Sequence, residues 1–223
     1  MIEIKDLFDL DKTIARELFT GKIYPWEVLA PLNDFILALG PTLPKEGFTQ
    51  IGEDIWVAKD AVIAPSASLK GPLIIDAGAE IRHCAFIRGS VIVGKGTVVG
   101  NSTELKNTLL FDQVQVPHYN YVGDSVLGFH AHFGAGSITS NVKGDKSPVI
   151  IKLENEQMAT GRKKVGALVG DYGEIGCNAV LNPGTIIGRR AQVYPLCSVR
   201  GFVPHGSIYK GEGRCVPREE RTR

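Results

Sequence analysis

The chain has 223 residues, of which 25 are Lys or Arg and 24 are Asp or Glu, so its formal net charge at pH 7 is +1. This balance argues against the strong field that nucleic-acid or membrane-surface binding needs, and we expect neither partner. No apolar run approaches the roughly 18 residues of a membrane span, and the N-terminus MIEIKDLFDLDK does not resemble a secretory signal. We therefore expect a cytoplasmic protein, whose 4 widely spaced cysteines are free thiols.

The N-terminal part of the chain, 1–48, is predicted to form a helical cap. One helix is predicted from Asp9 or Asp11 to about Phe19, and a second from Pro25 to about Leu39, each followed by a glycine. Because a solenoid needs its end covered, we expect this pair to pack on one end of the core described next. The alternative is a helix that binds a partner or is exchanged between subunits.

A strict period of six organises the next part of the chain. An apolar residue recurs at every sixth position: Ile51, Val57, Ile63, Leu69, Ile75, Ile81, Ile87, Val93, Val99, Leu105 and Phe111. Helices favour spacings of three and four, and half-buried strands favour two. A period of six is the hexapeptide signature of a parallel β-helix, in which three short strands make one coil. We therefore predict an all-β solenoid, a left-handed parallel β-helix, over residues 49–200.

Three basic residues, Lys70, Arg88 and Lys106, each follow an inward apolar position at intervals of one coil. They are predicted to stack on one outer edge at the strand spacing of about 4.8 Å. Like charges at that distance repel by something on the order of 1 kcal/mol, depending on solvation. The ladder suggests a bound anion, although long basic side chains that splay into water remain an equal alternative.

The period is interrupted twice. From Leu127 onward the inward positions fall two residues earlier than before, and the segment VPHYNYVGD lies in the break. Sites tend to be built where a regular solenoid breaks its own rules. Residues 142–164 form a second break, predicted to be an arm or hairpin inserted at one corner and basic at both ends. Residues 201–223 leave the period and are predicted to form a basic C-terminal tail.

The residues around the first break suggest acyl transfer to an amine. His118 is suited to act as a general base, because an imidazole titrates near neutral pH. Arg88 and Lys106 are suited to hold a phosphate, and Tyr121 to hydrogen-bond a sugar. A backbone N–H near Ala135 is placed to stabilise the oxyanion of a thioester under attack. For His118 taken alone, a turn histidine satisfied by the backbone is the simpler interpretation.

A metal site is the competing hypothesis. His130 and His132 are separated by one residue, so that an extended segment would aim both rings to the same side, and His118 is a third candidate ligand. Hexapeptide-repeat carbonic anhydrases bind zinc through three histidines, but their paired histidines lie about one hexad apart. We therefore predict no metal.

From about Arg88 to Val199 the sequence resembles a known family. The stretches IRGSVIVGKGTVVGNSTELKN, VPHYNYVGDSVLG, FGAGSITSN and GCNAVLNPGTIIG are similar to the acetyltransferase domain of the bifunctional glucosamine-1-phosphate acetyltransferase and uridylyltransferase. The resemblance implies a homotrimer that uses acetyl-CoA. It implies the following site: catalytic His118; substrate-binding Arg88, Lys106, Tyr121, His132, Asn141 and Lys146; and coenzyme-binding Ala135, Cys177 and Pro195. Lys70 is a further phosphate candidate, and Lys210, Arg214 and Arg218 are weaker candidates for the phosphates of the coenzyme.

Several positions depart from the family pattern. His132 replaces a sugar-contacting asparagine, Cys177 replaces a serine, and Pro195 replaces an alanine. The predicted solenoid is preceded only by the short cap, 1–48, so that uridylyl transfer is not expected. We predict an N-acetyltransferase that acts on an amino-sugar phosphate, glucosamine-1-phosphate first, in the synthesis of UDP-N-acetylglucosamine-type sugar nucleotides. The alternative is a silent sugar-phosphate or nucleotide-sugar binding protein or scaffold.

Overall fold

Short parallel strands stack in three columns and wind into a solenoid, which confirms the predicted parallel β-helix. A computed structural model describes residues 2–153 and 156–218. Within a column each strand pairs with the strand one coil later, as Ile55 with Leu73 and Leu73 with Val91. The residues that point inward are apolar and fully buried, so that each contributes roughly 1.5–3 kcal/mol through the hydrophobic effect.

We call the three columns face 1, face 2 and face 3. Face 1 consists of β2 (Ile55–Ala58), β5 (Leu73–Ile75), β8 (Val91–Val93), the second halves of β10 (Glu104–Leu110) and β12 (Tyr121–Leu127), β17 (Ala167–Val169), β20 (Thr185–Ile187) and β23 (Phe202–Val203). Face 2 consists of β4 (Ser68–Leu69), β7 (Phe86–Ile87), the first halves of β10 and β12, β14 (Ile138–Thr139), β19 (Val180–Leu181) and β22 (Ser198–Val199). Face 3 consists of β3 (Val62–Ile63), β6 (Glu80–Ile81), β9 (Val98–Asn101), β11 (Gln115–His118), β13 (His132–Phe133), β18 (Glu174–Ile175), β21 (Gln192–Val193) and β24 (Ser207–Tyr209).

The ends of the solenoid differ from the predicted bounds. Ile51 is 54% exposed on β1 (Phe48–Gly52), which pairs antiparallel with β2, so the parallel coils begin at Ile55. At the other end, β23 and β24 continue the parallel pairing beyond residue 200. β25 (Cys215–Pro217) then folds back antiparallel onto β24. Most of the predicted tail is thus part of the solenoid, and residues 219–223 lie outside the described residues.

The predicted two-residue change of phase is confirmed, and it has a simple origin. Leu110 lies opposite Val93, and Leu127 lies opposite Leu110, so that each of these two coils is one residue shorter than the regular coil. In both coils a single long strand, β10 or β12, runs over the corner between face 2 and face 1 without a separate turn. The inward position therefore falls on Leu110, and the prediction of Phe111 is wrong.

The N-terminal segment, residues 2–47, is less helical than predicted. It contains α1 (Ile4–Leu7) and α2 (Leu32–Leu39), together with 3-10 turns at Leu10–Lys12, Arg16–Phe19, Glu27–Leu29 and Gly40–Thr42. Asp9 does act as a cap, since its side chain accepts a bond from Asp11 N at 3.1 Å, but only for the first of these turns. Pro31 immediately precedes α2; it lacks an N–H and therefore cannot continue a helix from the preceding turn. None of the helices within the described ranges has the length and apolar composition to cross a membrane.

This segment lies along face 1, so the expectation that it covers an end of the solenoid is wrong. Asp9 N donates to the Asp171 carboxylate at 2.8 Å, and Asn33 Nδ2 donates to Ser90 Oγ at 2.9 Å, several coils away. The physical reason lies in the outward residues of face 1. They form an apolar column that needs a cover, and each has no exposed surface: Ile74, Ile92, Leu109, Val126 and Leu168.

The insertion is a hairpin, as predicted. It leaves the corner between face 2 and face 1 and returns to it, with Val142 and Lys164 joined in an antiparallel bridge. Its strands β15 (Ile150–Lys152) and β16 (Gln157–Ala159) pair antiparallel. Val149 and Ile151 are fully buried, and their side chains approach Gly184, so the hairpin packs against face 1 beside the N-terminal segment.

Candidate functional site

The basic ladder exists and follows the end of face 2. The strands β4, β7 and β10 are in register, so that Lys70, Arg88 and Lys106 occupy equivalent positions on successive coils. Arg88 N donates to Leu105 O at 2.8 Å, which joins two of these coils directly. Lys70 is on the first of these three coils, and its Nζ lies 5.8 Å from the centroid of the Phe86 ring.

A cavity of about 550 Å³ opens at this corner. From the solenoid it is lined by Arg88, Lys106 and Asp124, and from the end of the inserted hairpin by Arg162, Lys163 and Lys164. Five cations therefore face one carboxylate in the lining, which makes the cavity suited to an anion. The sequence showed that the insertion is basic at both ends, but it did not show that its second end lies beside the ladder.

Asp124 holds this cluster together. Its side chain is 3% exposed, and Lys106 Nζ lies 3.5 Å from Oδ2. The Asn107 amide donates to Oδ1 at 2.9 Å, and the Asn141 amide donates to Oδ2 at 2.6 Å. Asn107 and Asp124 have φ of 47° and 49°, a left-handed conformation that Asn and Asp tolerate better than most residues. These residues stand at the corners of the two shortened coils.

Arg88 is also held in place. Its Nη1 lies 2.7 Å from Glu104 Oε1, and this hydrogen bond raises the pKa of the guanidinium further above its ordinary value. The Arg88 side chain remains 43% exposed. Arg88 is therefore oriented by one carboxylate and still open to a ligand on its other side.

Tyr121 lies on the outer side of face 2 and joins the same cluster. The Asn141 amide donates to its hydroxyl oxygen at 3.2 Å. Burial raises the pKa of the phenol, and the neighbouring Asp124 charge raises it further. The phenol therefore stays protonated in the neutral range and can donate a hydrogen bond. The structure thus brings four of the predicted substrate residues together: Arg88, Lys106, Tyr121 and Asn141.

The predicted catalytic and coenzyme residues form a second group on the opposite edge of face 2. His118 ends β11 at the corner between face 3 and face 2. Ala135, Cys177 and Pro195 follow at the same position on later coils, joined by backbone bonds such as Gly136 N to His118 O at 3.0 Å. All four residues are exposed. Face 2 therefore separates a basic edge from an edge that carries the predicted base.

Two predicted substrate residues do not join the cluster within one chain. His132 points outward from face 3, with Nδ1 2.9 Å from Glu174 Oε2, and this hydrogen bond raises the pKa of the imidazole. Lys146 is exposed in a turn of the insertion, where its N–H bonds to Lys143 O at 2.9 Å. The insertion contributes residues to the cavity through its second end, and Lys146 lies near its first.

The histidines of the metal hypothesis lie in three different places. His118 is at one corner, His132 is on face 3, and His130 stacks on Tyr172 at a second corner, with ring centroids 5.6 Å apart. No group of three potential ligands converges on a metal position among the described residues. Lys210, one of the tail residues considered for the phosphates of the coenzyme, has its Nζ 5.5 Å from the centroid of the Tyr194 ring. Tyr194 directly precedes Pro195 in the sequence.

The three columns of short parallel strands define a hexapeptide-repeat β-helix, and comparisons with known proteins identify its family. The GMPPB C-terminal domain model matches residues 69–155. The chain is 30% identical over 173 residues to the uncharacterized acetyltransferase YaiX of Escherichia coli, covering 70% of this chain and 74% of YaiX. The chain therefore belongs to the hexapeptide-repeat acetyltransferase family.

Longer relatives match as well. The bifunctional protein GlmU of Methanococcus maripaludis is 32% identical over 190 residues, 84% of this chain and 46% of that protein. The bifunctional sugar-1-phosphate nucleotidylyltransferase/acetyltransferase of Sulfurisphaera tokodaii is 31% identical over 166 residues, 66% of this chain and 41% of that protein. The chain spans about half the length, or slightly less, of these curated relatives.

Solved structures that match this chain are more distant in sequence. The polySia-specific acetyltransferase NeuO is 12% identical, with a TM-score of 0.44 over 73% of this chain and 83% of that one. A hexapeptide transferase family protein from Anaplasma phagocytophilum is 19% identical, with a TM-score of 0.38 over 74% of this chain and 78% of that one.

Proposed function

We propose that this protein is an acetyl-CoA-dependent N-acetyltransferase that acts on an amino-sugar phosphate, with glucosamine-1-phosphate as the first candidate. The observation that carries this proposal is the arrangement on face 2. A basic cavity at one edge is suited to a phosphate, Tyr121 on the face is suited to a sugar, and His118 stands at the other edge. The relative named as a bifunctional sugar-1-phosphate nucleotidylyltransferase/acetyltransferase supports the same substrate class.

In the proposed reaction His118 takes a proton from the amine of the sugar. The amine nitrogen bonds to the carbonyl carbon of the acetyl group, the carbon–sulfur bond breaks, and the CoA sulfur leaves and takes up a proton. Arg88 and Lys106 hold the phosphate, and Tyr121 donates to the sugar. A backbone N–H near Ala135 stabilises the oxyanion that forms during the attack.

Acetyl-CoA would lie along the edge formed by Ala135, Cys177 and Pro195. This edge is exposed in one chain, and a second subunit would provide the opposite wall of the channel. We therefore propose a homotrimer in the cytoplasm, in which His132 and Lys146 reach a site shared between neighbouring chains.

One observation favours a second candidate, a sugar-phosphate binding protein without turnover. His132, which stands where the family has a sugar-contacting asparagine, is held by Glu174 on face 3. Such a protein would keep the phosphate cavity and lack catalysis.

Release of CoA from acetyl-CoA in the presence of glucosamine-1-phosphate separates the two candidates. His118→Ala is expected to lower kcat by about 100-fold to 10,000-fold with little change in KM, as for other general bases. His205→Ala, an exposed histidine on another part of the solenoid, is the matched control. If His118→Ala turns over as fast as the wild type, the base assignment is wrong. Phosphate-ligand binding without turnover of any amino-sugar phosphate would support the silent binding protein.

A further inference from the structure

A second cavity, of about 670 Å³, lies between the N-terminal segment and the inserted hairpin. Its lining includes Lys22, Tyr24, Trp26 and Glu27 from the segment, and Thr160 and Arg162 from the hairpin. Arg162 also lines the basic cavity, so that the two cavities adjoin at this side chain. The proposed reaction with a simple sugar phosphate uses only the first of them.

Arg162 is positioned for a ligand. The hairpin fixes its backbone, since Arg162 N donates to Thr160 Oγ1 at 3.2 Å and Arg162 O accepts from Val149 N at 2.8 Å. Its Nε is buried and has no hydrogen-bond partner among the described residues. A buried donor without an acceptor is costly, and a guanidinium donor is best satisfied by a carboxylate or phosphate oxygen. Because the Arg162 side chain lines both cavities, its guanidinium is placed to bind an anionic group beside the one at Arg88 and Lys106.

The second cavity also offers an aromatic wall. The rings of Tyr24 and Trp26 stack with centroids 4.8 Å apart and planes within 1° of each other. Trp26 is only 4% exposed, and Tyr24 is half-buried. A flat, rigid aromatic pair of this kind suits the face of a nucleobase, which gains free energy by stacking.

From these features we infer that the physiological acceptor is an amino sugar linked to a nucleoside diphosphate. This inference rests on the proposed transferase function and names its substrate class. The sugar lies over Tyr121, the phosphate next to it binds Arg88 and Lys106, and the second phosphate binds Arg162. The nucleoside then occupies the second cavity against Tyr24 and Trp26. This order follows the surface from the His118 edge across face 2 and over the basic corner.

Binding tests the nucleotide site without any need for catalysis. We expect at least one of UDP, GDP, dTDP and ADP to bind at least 10-fold more tightly than inorganic pyrophosphate in calorimetric titrations. Arg162→Gln should weaken that nucleotide at least 10-fold, whereas Lys152→Ala, an exposed residue on the same hairpin, should not. Tyr24→Ala should weaken the nucleotide and leave pyrophosphate unchanged, and it tests the same site if Arg162→Gln fails to fold.

Two binding results would overturn the inference. One is that no nucleoside diphosphate binds more tightly than pyrophosphate. The other concerns the source of the nucleotide, because CoA also contains an adenosine diphosphate group. If CoA displaces the bound nucleotide, and if Arg162→Gln weakens CoA to the same degree, the second cavity belongs to the coenzyme.

Kinetics then separate this inference from the proposed function. The glucosamine conjugate of the best-bound nucleotide should be acetylated with a kcat/KM at least 10-fold above that of glucosamine-1-phosphate, and Arg162→Gln should abolish that preference. If glucosamine-1-phosphate is the better acceptor, the inference is wrong and the transferase proposal stands. If the nucleotide binds but neither acceptor is acetylated, the transferase proposal and the acceptor assignment both fail, and the cavity remains a nucleotide-binding site.

Discussion

Lys106 and Asp124 are paired across adjacent coils, with Nζ 3.5 Å from Oδ2, and they belong to different strands, β10 and β12. The carboxylate is nearly inaccessible, whereas the Lys106 side chain is 28% exposed and lines the basic cavity. Asp124 therefore positions the Lys106 side chain, and the exposed part of that side chain remains accessible to a ligand in the cavity. The same carboxylate accepts from Asn107 and Asn141, so that three polar groups depend on one buried residue.

Asp124→Asn is expected to lower the free energy of unfolding by about 1–3 kcal/mol, the usual cost of an unsatisfied buried polar group. An amide offers one oxygen and one NH₂, so it cannot accept from both asparagines as the carboxylate does. Urea denaturation measures the change. Glu46→Gln, at an exposed position, is the control and should have almost no effect. Equal stability of both variants would show that Asp124 does not hold the cluster.

Tyr121→Phe is expected to raise the KM for the amino-sugar phosphate about tenfold, equivalent to about 1.4 kcal/mol for one lost hydrogen bond to the ligand. Because the pKa of Tyr121 is raised, its hydroxyl remains a donor throughout the neutral range. Steady-state kinetics at several pH values between 6.5 and 8.5 check both statements. Tyr119→Phe is the control, since Tyr119 is 66% exposed. An unchanged KM in Tyr121→Phe would remove this residue from the sugar site.

Cys177 offers a direct test of the coenzyme edge. Both Cys177 and Cys84 are exposed free thiols, but only Cys177 stands in the column with Ala135 and Pro195. Acetyl-CoA bound along that edge should slow alkylation of Cys177 by iodoacetamide and leave Cys84 unaffected. Peptide mass spectrometry gives both rates from one sample. Equal protection of the two thiols, or none, would place the coenzyme elsewhere.

The His132–Glu174 pair predicts a pH-dependent contribution to stability. The folded-state pKa of His132 is raised by the hydrogen bond to Glu174, above the unfolded value of about 6.5. The pair therefore stabilises the fold fully below pH 6.5, and this contribution is lost as pH rises through the folded pKa. Since both side chains are more than 40% exposed, the contribution should stay under about 1 kcal/mol.

The measurement is the difference in unfolding free energy between the wild type and His132→Gln. We expect it to be larger at pH 5.5 than at pH 8.5. NMR titration of His132 in Glu174→Gln should show a lower pKa than in the wild type. A difference that grows with pH would contradict the assignment.

Phe111→Ala should cost about 3–5 kcal/mol, the range for a buried phenylalanine. Phe111 is fully buried, and its ring lies 5.1 Å from that of Phe8 and 5.9 Å from that of Phe19. The loss would loosen the N-terminal segment, so that limited proteolysis should cut this segment first. Phe133→Ala, which removes an inward residue of β13, is the comparison and should show no such selectivity. Resistance of the segment in Phe111→Ala would contradict this role.

The period of six predicted the winding because inward residues such as Ile75 and Val93 repeat with every coil. It also aligned Arg88 with Lys106, since residues that follow equivalent inward positions must stack. The location of the N-terminal segment was missed, although a signal was present. Ile74 and Ile92, directly beside the inward residues, are apolar on an outward side, which indicates a covered face.

The contribution of Arg162 could not be predicted in the same way. The insertion has no period, so that its register depends on local pairing such as the bridge between Val142 and Lys164. The pairing of His132 with Glu174 was hidden for a related reason, because the insertion separates these neighbouring coils by 42 residues. Periodic spacing predicts contacts between regular coils, and it gives no information where a coil is interrupted.

The N-terminal segment contacts coils that are synthesised much later, so its docking is delayed during translation. Asp9 emerges early, yet its partner Asp171 is synthesised 162 residues later. At about 5–20 residues per second, roughly 8–30 seconds pass before the segment can dock over its full length. Until then the outward apolar residues of face 1, such as Ile74 and Ile92, have no cover from the N-terminal segment, and they are buried only when the segment docks.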